Sequence, residues 1–244
     1  MTLAPEYTDD QLFAGRLQCL QPQDGYRFSL DAVLLANLVR PRPAERILEL
    51  GAGCGVVSLI LAYRWPEISI TALEIQPRLA ELCRRNVSLN GFADRIRTMN
   101  GDLRLIRELV KAGEFSLVVA NPPYLQTGAG RINRVEEKGI ARHELKADMK
   151  SVVGAARYAV EPLGRVVLIY PAARAAALIN QLQLQDIEPN TLQFIYSYFG
   201  EEAGLVIVEA IREGGEELRI LPPFYVYKKP GGGYSEEMSA CYEP

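Results

Sequence analysis

Between the apolar run Arg46-Ile47-Leu48-Glu49-Leu50 and a helical stretch beginning near Cys54 stands Gly51-Ala52-Gly53-Cys54-Gly55, a turn with glycine at every second position. Glycines at such a junction let the backbone turn left-handed and pass close to a ligand without a Cβ in the way. The open N-terminus of the helix adds unpaired N–H groups. This strand–turn–helix unit sets the pattern for the rest of the chain. Short β-branched runs alternate with longer stretches of helical period, which predicts a parallel sheet with helices on both faces. Strands are expected over 46–50, 68–74, 96–99, 115–120 and 164–170, with helices from near Cys54 to Arg64, after Pro77, and over 144–160. Pro77 stands early in its helix, where a missing N–H costs nothing, and Gly91 lies just past the end, where a left-handed cap is wanted. The runs 192–198 and 204–211 are separated only by Phe199-Gly200-Glu201-Glu202-Ala203, too short for a crossover helix. They are therefore expected as antiparallel neighbours that close the sheet.

A chain of 244 residues, 48% hydrophobic, can bury a sizeable core. We divide it into an entry or lid segment (1–44), a core (45–213) and a C-terminal extension (214–244) that packs on the core through the region of Pro222-Pro223-Phe224-Tyr225. No run approaches the ~18 apolar residues of a membrane helix. The start of the chain lacks the charged-then-apolar pattern of a secretion signal, so a cytoplasmic protein with no membrane partner is expected. Cys19, Cys54, Cys83 and Cys241 have no CxxC spacing, which points to reduced thiols and to no metal site. A net charge of −3 argues against coating nucleic acid by bulk electrostatics and leaves room for a local basic face.

Dinucleotide sites prefer G-x-G-x-x-G, in which a pyrophosphate settles on the helix terminus. Here the third glycine comes one residue sooner. The tighter turn, preceded by Glu49, suits a ligand carrying a sulfonium and an ammonium and no phosphate. Glu74, at the end of the second strand, stands where a carboxylate accepts both hydroxyls of an unphosphorylated ribose. Asp102 follows the third strand, either as an acceptor for an adenine amino group or as an ordinary helix N-cap. Together with Ile75 and Leu103 these residues form the candidate cofactor site. Asn121-Pro122-Pro123-Tyr124 ends the fourth strand at the edge where open α/β sheets bind ligands. The prolines fix φ and surrender their N–H groups, leaving rigid carbonyl acceptors. Asn121 Oδ1 and the Pro122 carbonyl can take both hydrogens of a planar NH₂, and Tyr124 offers a face on which a flipped base stacks.

These motifs, with Gln21-Pro22-Gln23-Asp24-Gly25-Tyr26-Arg27-Phe28-Ser29-Leu30-Asp31 and Ile140-Ala141-Arg142-His143-Glu144, resemble the bacterial tRNA1(Val) adenine-N6-methyltransferase family nearly end to end. The resemblance implies a Rossmann-like class I methyltransferase fold with a seven-stranded, mostly parallel sheet and a C-terminal antiparallel hairpin. It implies S-adenosylmethionine as donor, tRNA as partner and N6-methyladenosine beside the anticodon as product. NPPY alone is shared with enzymes acting on DNA adenine, an rRNA base or the glutamine amide of a release factor. Only about 45 residues precede Ile47, too few for the helical domain that release-factor enzymes carry ahead of the sheet. Tyr26-Arg27-Phe28-Ser29 is either a lid over the methionine end of the cofactor, with Ser29 as N-cap, or an entry turn. Arg131, Arg134, Lys138, Arg142, His143, Lys146 and Lys150, interleaved with acids, form either a phosphate-binding loop or a solvated surface. His143 reads as structural or RNA-contacting, since the proton lost after methyl transfer can pass to water.

Overall fold

The computed structural model describes residues 7–23, 27–122 and 148–243. An N-terminal hairpin, β1 (Tyr7–Leu12) and β2 (Leu17–Pro22), precedes α1 (Leu30–Leu38). Then come β3 (Arg46–Leu50), α2 (Val56–Arg64), β4 (Ser69–Glu74), α3 (Pro77–Leu89), β5 (Ile96–Asn100), α4 (Ile106–Leu109) and β6 (Phe115–Ala120). Beyond the gap lie α5 (Met149–Ala159), β7 (Val160–Pro171), α6 (Ala175–Gln183), β8 (Ile187–Tyr196) and β9 (Ala203–Arg212). Two short strands, β10 (Arg219–Ile220) and β11 (Phe224–Tyr225), and α7 (Glu236–Ala240) complete the chain.

The main sheet runs β10-β8-β9-β7-β6-β3-β4-β5, with β11 also on β8. β7, β6, β3, β4 and β5 are parallel, and β9 is antiparallel to both β7 and β8. The closing hairpin is as the sequence predicts. The sheet has nine strands where seven were expected. The extra pair, β10 and β11, has two residues each and no period-2 signal to betray it. The chain returns along the outer edge of β8 and pairs with it as it passes.

Alternate residues of each strand face opposite layers, as the pleat requires. Ile47, Ala72, Leu117, Val119 and Val167 belong to one apolar cluster with α1, α2, α3 and the hairpin. Leu48, Leu50, Leu73, Val118 and Val166 belong to the other, beneath α5 and α6. The entry segment is therefore structured in part as a hairpin. Its turn carries Phe13 and Ala14 at positive φ, and Leu12, Phe13, Leu17 and Cys19 are buried in the first cluster. Within the extension, Phe224, Val226, Met238 and Cys241 are buried in that same cluster. α5 begins at Met149, whereas the sequence placed a helix from 144, and residues 144–147 lie outside the described set.

Candidate active site

β3 is flanked by β4 on one side and β6 on the other, and the chain leaves it in one direction and returns on the other side. Such a switch point opens a crevice beyond the carboxyl ends of the strands. Leu50 pairs with Leu73 and with Ala120, and Glu74 pairs with Asn100. Gly51 and Asn121 therefore leave adjacent strands at the same level, about 4.8 Å apart in the pairing direction. The register alone brings the glycine loop and the start of NPPY together.

Gly51, Gly53 and Gly55 have φ of +77°, +58° and +90°. A Cβ on Gly55 would lie 2.5 Å from Cys83 Sγ, so this glycine exists to let α2 approach α3. A Cβ on Gly51 would meet nothing within 4 Å. That glycine faces open space. The Gly51 and Ala52 N–H groups donate to the Leu73 carbonyl at 2.8 and 2.9 Å, lashing the loop to the end of β4.

Glu74 is only 4% exposed. Its Oε2 accepts the Gly53 N–H and its Oε1 the Gln76 N–H, each at 2.8 Å. A carboxylate oxygen has a second lone pair, so a ribose diol reaching Glu74 shares these oxygens with backbone donors. Glu49 is also buried, and its Oε2 is committed to Ser58 of α2, accepting from the backbone N–H at 3.1 Å and from the hydroxyl. Burial pushes its carboxyl up to about 7 against the opposing pull of the Ser58 hydrogen bonds. Asp102 caps the turn Leu103–Leu105, accepting from the Arg104 N–H at 2.9 Å. It also pairs with the Arg104 guanidinium at 2.6 Å, and these hydrogen bonds hold its carboxyl below the usual range. Of its two readings from sequence, the cap is the one realised in these contacts. Ile75 offers its carbonyl to Asn100 Nδ2 at 3.0 Å, and Leu103 packs against the second core cluster.

Asn121 is half-buried and Pro122 buried at the end of β6. Pro123 and Tyr124 lie outside the described residues, as do Tyr26, Arg131, Arg134, Lys138, Arg142, His143 and Lys146. Lys150 is exposed on the first turn of α5. The Arg27 guanidinium bonds Thr8 and Asp10, both at 2.8 Å, and the Phe28 N–H donates to Gln21 Oε1 at 2.8 Å. Ser29 stands at the N-cap of α1 without a side-chain cap bond. The segment 27–29 is thus strapped to the hairpin.

The family model described as the methyltransferase small domain matches residues 29–146, a span that contains the glycine loop, Glu74, Asp102 and the NPPY stretch. A tRNA1(Val) (adenine(37)-N6)-methyltransferase from Porphyromonas gingivalis is 32% identical over 154 residues, covering 61% of this chain and 60% of that protein. One of the same name from Aeromonas salmonicida is 28% identical over 220 residues, covering 88% and 87%. The match thus spans about 60% of the length of the Porphyromonas protein. The crystal structure of a predicted O-methyltransferase from Agrobacterium tumefaciens superposes with a TM-score of 0.71 over 87% of this chain and 95% of that one, at 24% identity. The fold is the Rossmann-like fold of methyltransferases.

Beneath the glycine loop, the fold carries a polar support that the motifs did not announce. Asn86 of α3, fully buried, donates to the Cys54 carbonyl and to the Leu20 carbonyl, both at 2.9 Å, and accepts the Leu20 N–H at 2.9 Å. Asn90, one turn on, makes the matching pair with Gln18 at 2.9 and 2.7 Å. The available signal was Asn86 inside a helix, where Asn is a poor filler, with Asn90 one turn on at its C-cap. Cys54 is buried, with its sulfur 3.7 Å from Cys19 Sγ. Among the described residues, no group of three or more His, Cys, Asp or Glu could hold a metal ion, and no helix is long and apolar enough to cross a membrane.

Proposed function

We propose that this chain is an S-adenosylmethionine-dependent N-methyltransferase acting on N6 of an adenine in tRNA, beside the anticodon and in tRNA(Val). The carrying observation is the register Leu50–Ala120, which sets the open cradle at Gly51 beside Asn121. The two relatives named above as tRNA1(Val) (adenine(37)-N6)-methyltransferases support the choice of substrate. Acting on tRNA, the protein works in the cytoplasm.

The residues present fit the donor. Gly51 leaves space that any Cβ would fill, and Glu74 offers acceptor capacity for a ribose. When bound, S-adenosylmethionine supplies an electrophilic methyl on a sulfonium. Asn121 Oδ1 and the Pro122 carbonyl accept the two N–H groups of the adenine amino group. This draws the nitrogen lone pair out of conjugation and aims it at the methyl. Held there, the donor would supply the methyl with its sulfur as leaving group, and the proton lost from N6 passes to water. Positioning and electrostatics supply the rate, without a general base. The base is unstacked to reach Asn121, at lower cost from a loop than from a duplex.

The test is methyl transfer from labelled S-adenosylmethionine to total bacterial tRNA, followed by nucleoside analysis. N6-methyladenosine is expected, with transfer reduced at least about 100-fold by Asn121→Ala while donor affinity is retained. Label on a release factor, rRNA or DNA instead of tRNA overturns the substrate and keeps the reaction class.

A further inference from the structure

β8 is antiparallel to β9, which is antiparallel to β7, so β8 points the same way as β7 and β6. β11 runs parallel to β8. The turns that follow β8 and β11 therefore project from the same edge of the sheet as Asn121. Both carry exposed aromatic rings. Phe199, at the tip of the turn after β8, is 84% exposed. Its ring lies 6.2 Å from that of Tyr225, which lies 5.6 Å from Tyr196. After β11, Tyr227 stacks on Tyr234 at 5.5 Å, closing a tight turn in which the Lys228 N–H donates to the Gly233 carbonyl at 3.1 Å. Lys228 and Lys229 are exposed on this turn and have no ion-pair partner among the described residues.

An exposed ring, Phe199, near a turn bearing exposed cations supplies the chemistry of a single-stranded nucleic-acid platform, in which bases stack on rings and phosphates meet ammonium groups. Glu201 and Glu202 share the first turn, and Glu201 is engaged by the Tyr198 hydroxyl at 2.8 Å. Stacking on Phe199 needs no charge, and the lysines on the neighbouring turn supply it. From β6 to β8 are three strand steps, about 14 Å at ~4.8 Å each. Through Leu168 and Val208 the register sets Leu192 of β8 level with Ala120, so Phe199 stands further out than Asn121 and the run of unpaired nucleotides joining them is longer than this lateral step.

We propose that Phe199 and the Lys228–Lys229 turn form a docking ledge for unpaired nucleotides of the RNA that presents its target base to Asn121. The inference rests on the tRNA reading above and assigns a second contact region to the same substrate. The experiment uses the full chain and measures binding of labelled bacterial tRNA for wild type, Phe199→Ala, Phe199→Trp and Lys228→Ala/Lys229→Ala, with donor affinity and Tm as controls. Phe199→Ala is expected to weaken tRNA binding about 5- to 100-fold, with Phe199→Trp restoring it. The lysine pair is expected to lower the slope of log K against log salt by about 2. Donor affinity and Tm stay unchanged. Wild-type binding and methylation of tRNA with both ledge variants unimpaired overturns the ledge and leaves the tRNA reading standing. Failure of wild type to bind any tRNA overturns both. A change in self-association on sedimentation, without a change in tRNA affinity, overturns the ledge in favour of a contact between copies.

Discussion

At Glu49 burial and hydrogen bonding oppose each other, and burial wins, raising its carboxyl from 4.5 to about 7. Between those values the folded chain binds more protons than the unfolded chain, so stability falls as pH rises through the interval and is lowest above it. At about 1.4 kcal/mol per unit this amounts to at most about 3–4 kcal/mol. Glu49→Gln keeps an acceptor for Ser58 and removes the titration. Urea denaturation at pH 5 and pH 8 should show the variant losing less stability with rising pH than wild type, and parallel profiles would show that Glu49 titrates normally. The sequence marked Glu49 as an acid before a glycine loop. That its Oε2 serves Ser58, nine residues on, was not legible, because a helix following a tight turn folds back over its strand only in three dimensions.

Among the elements, α3 does two tasks with two faces. Leu79, Leu82 and Cys83 pack into the core, while Asn86 and Asn90 copy the hydrogen-bonding pattern of a neighbouring strand and hold the edge of β2. Asn86 also grips the Cys54 carbonyl, so the glycine loop and the hairpin share one anchor. From β2, Gln21 bonds the Phe28 N–H and, with Arg27, Asp10, which extends that anchorage to the start of α1. Asn86→Ala strips buried partners from Leu20 and Cys54 and should cost about 2–4 kcal/mol in urea denaturation. Hydrogen exchange should speed at the Leu20 amide in particular. A loss spread evenly over all protected amides would instead mean that Asn86 supports the global core. The helix itself was readable from Pro77, Gly91 and its apolar period. The hairpin was not, since its turn rests on Phe13 and Ala14 at positive φ, residue types that carry no turn signature.

For the molecule as a whole, Arg165 fastens the end of the sheet remote from the cradle. Its side chain, 5% exposed, pairs with Glu45 at 2.8 Å and Glu209 at 3.2 Å and donates to the Arg40 carbonyl at 3.0 Å. One residue thereby joins β7, β9 and the segment between α1 and β3. Arg165→Met leaves Glu45 buried without its partner and should destabilise by about 3–5 kcal/mol, read as a fall in Tm. A loss under about 1 kcal/mol would mean that Glu45 finds water or takes up a proton. The sequence by itself determined the layered α/β class, the five parallel strands and the terminal hairpin, because hydrophobic period and connection length are local properties that survive without a fold. It also determined the glycine loop and the residue types of NPPY, since backbone freedom and missing N–H groups belong to those residues wherever they stand. Only the tertiary structure decided that Gly51 and Asn121 leave adjacent strands at the same level, that two short strands return along β8, and that the turns of Phe199 and Lys228 share a sheet edge with Asn121. Strand order and register are fixed by packing between segments far apart in the chain, and no local pattern records which strand becomes whose neighbour.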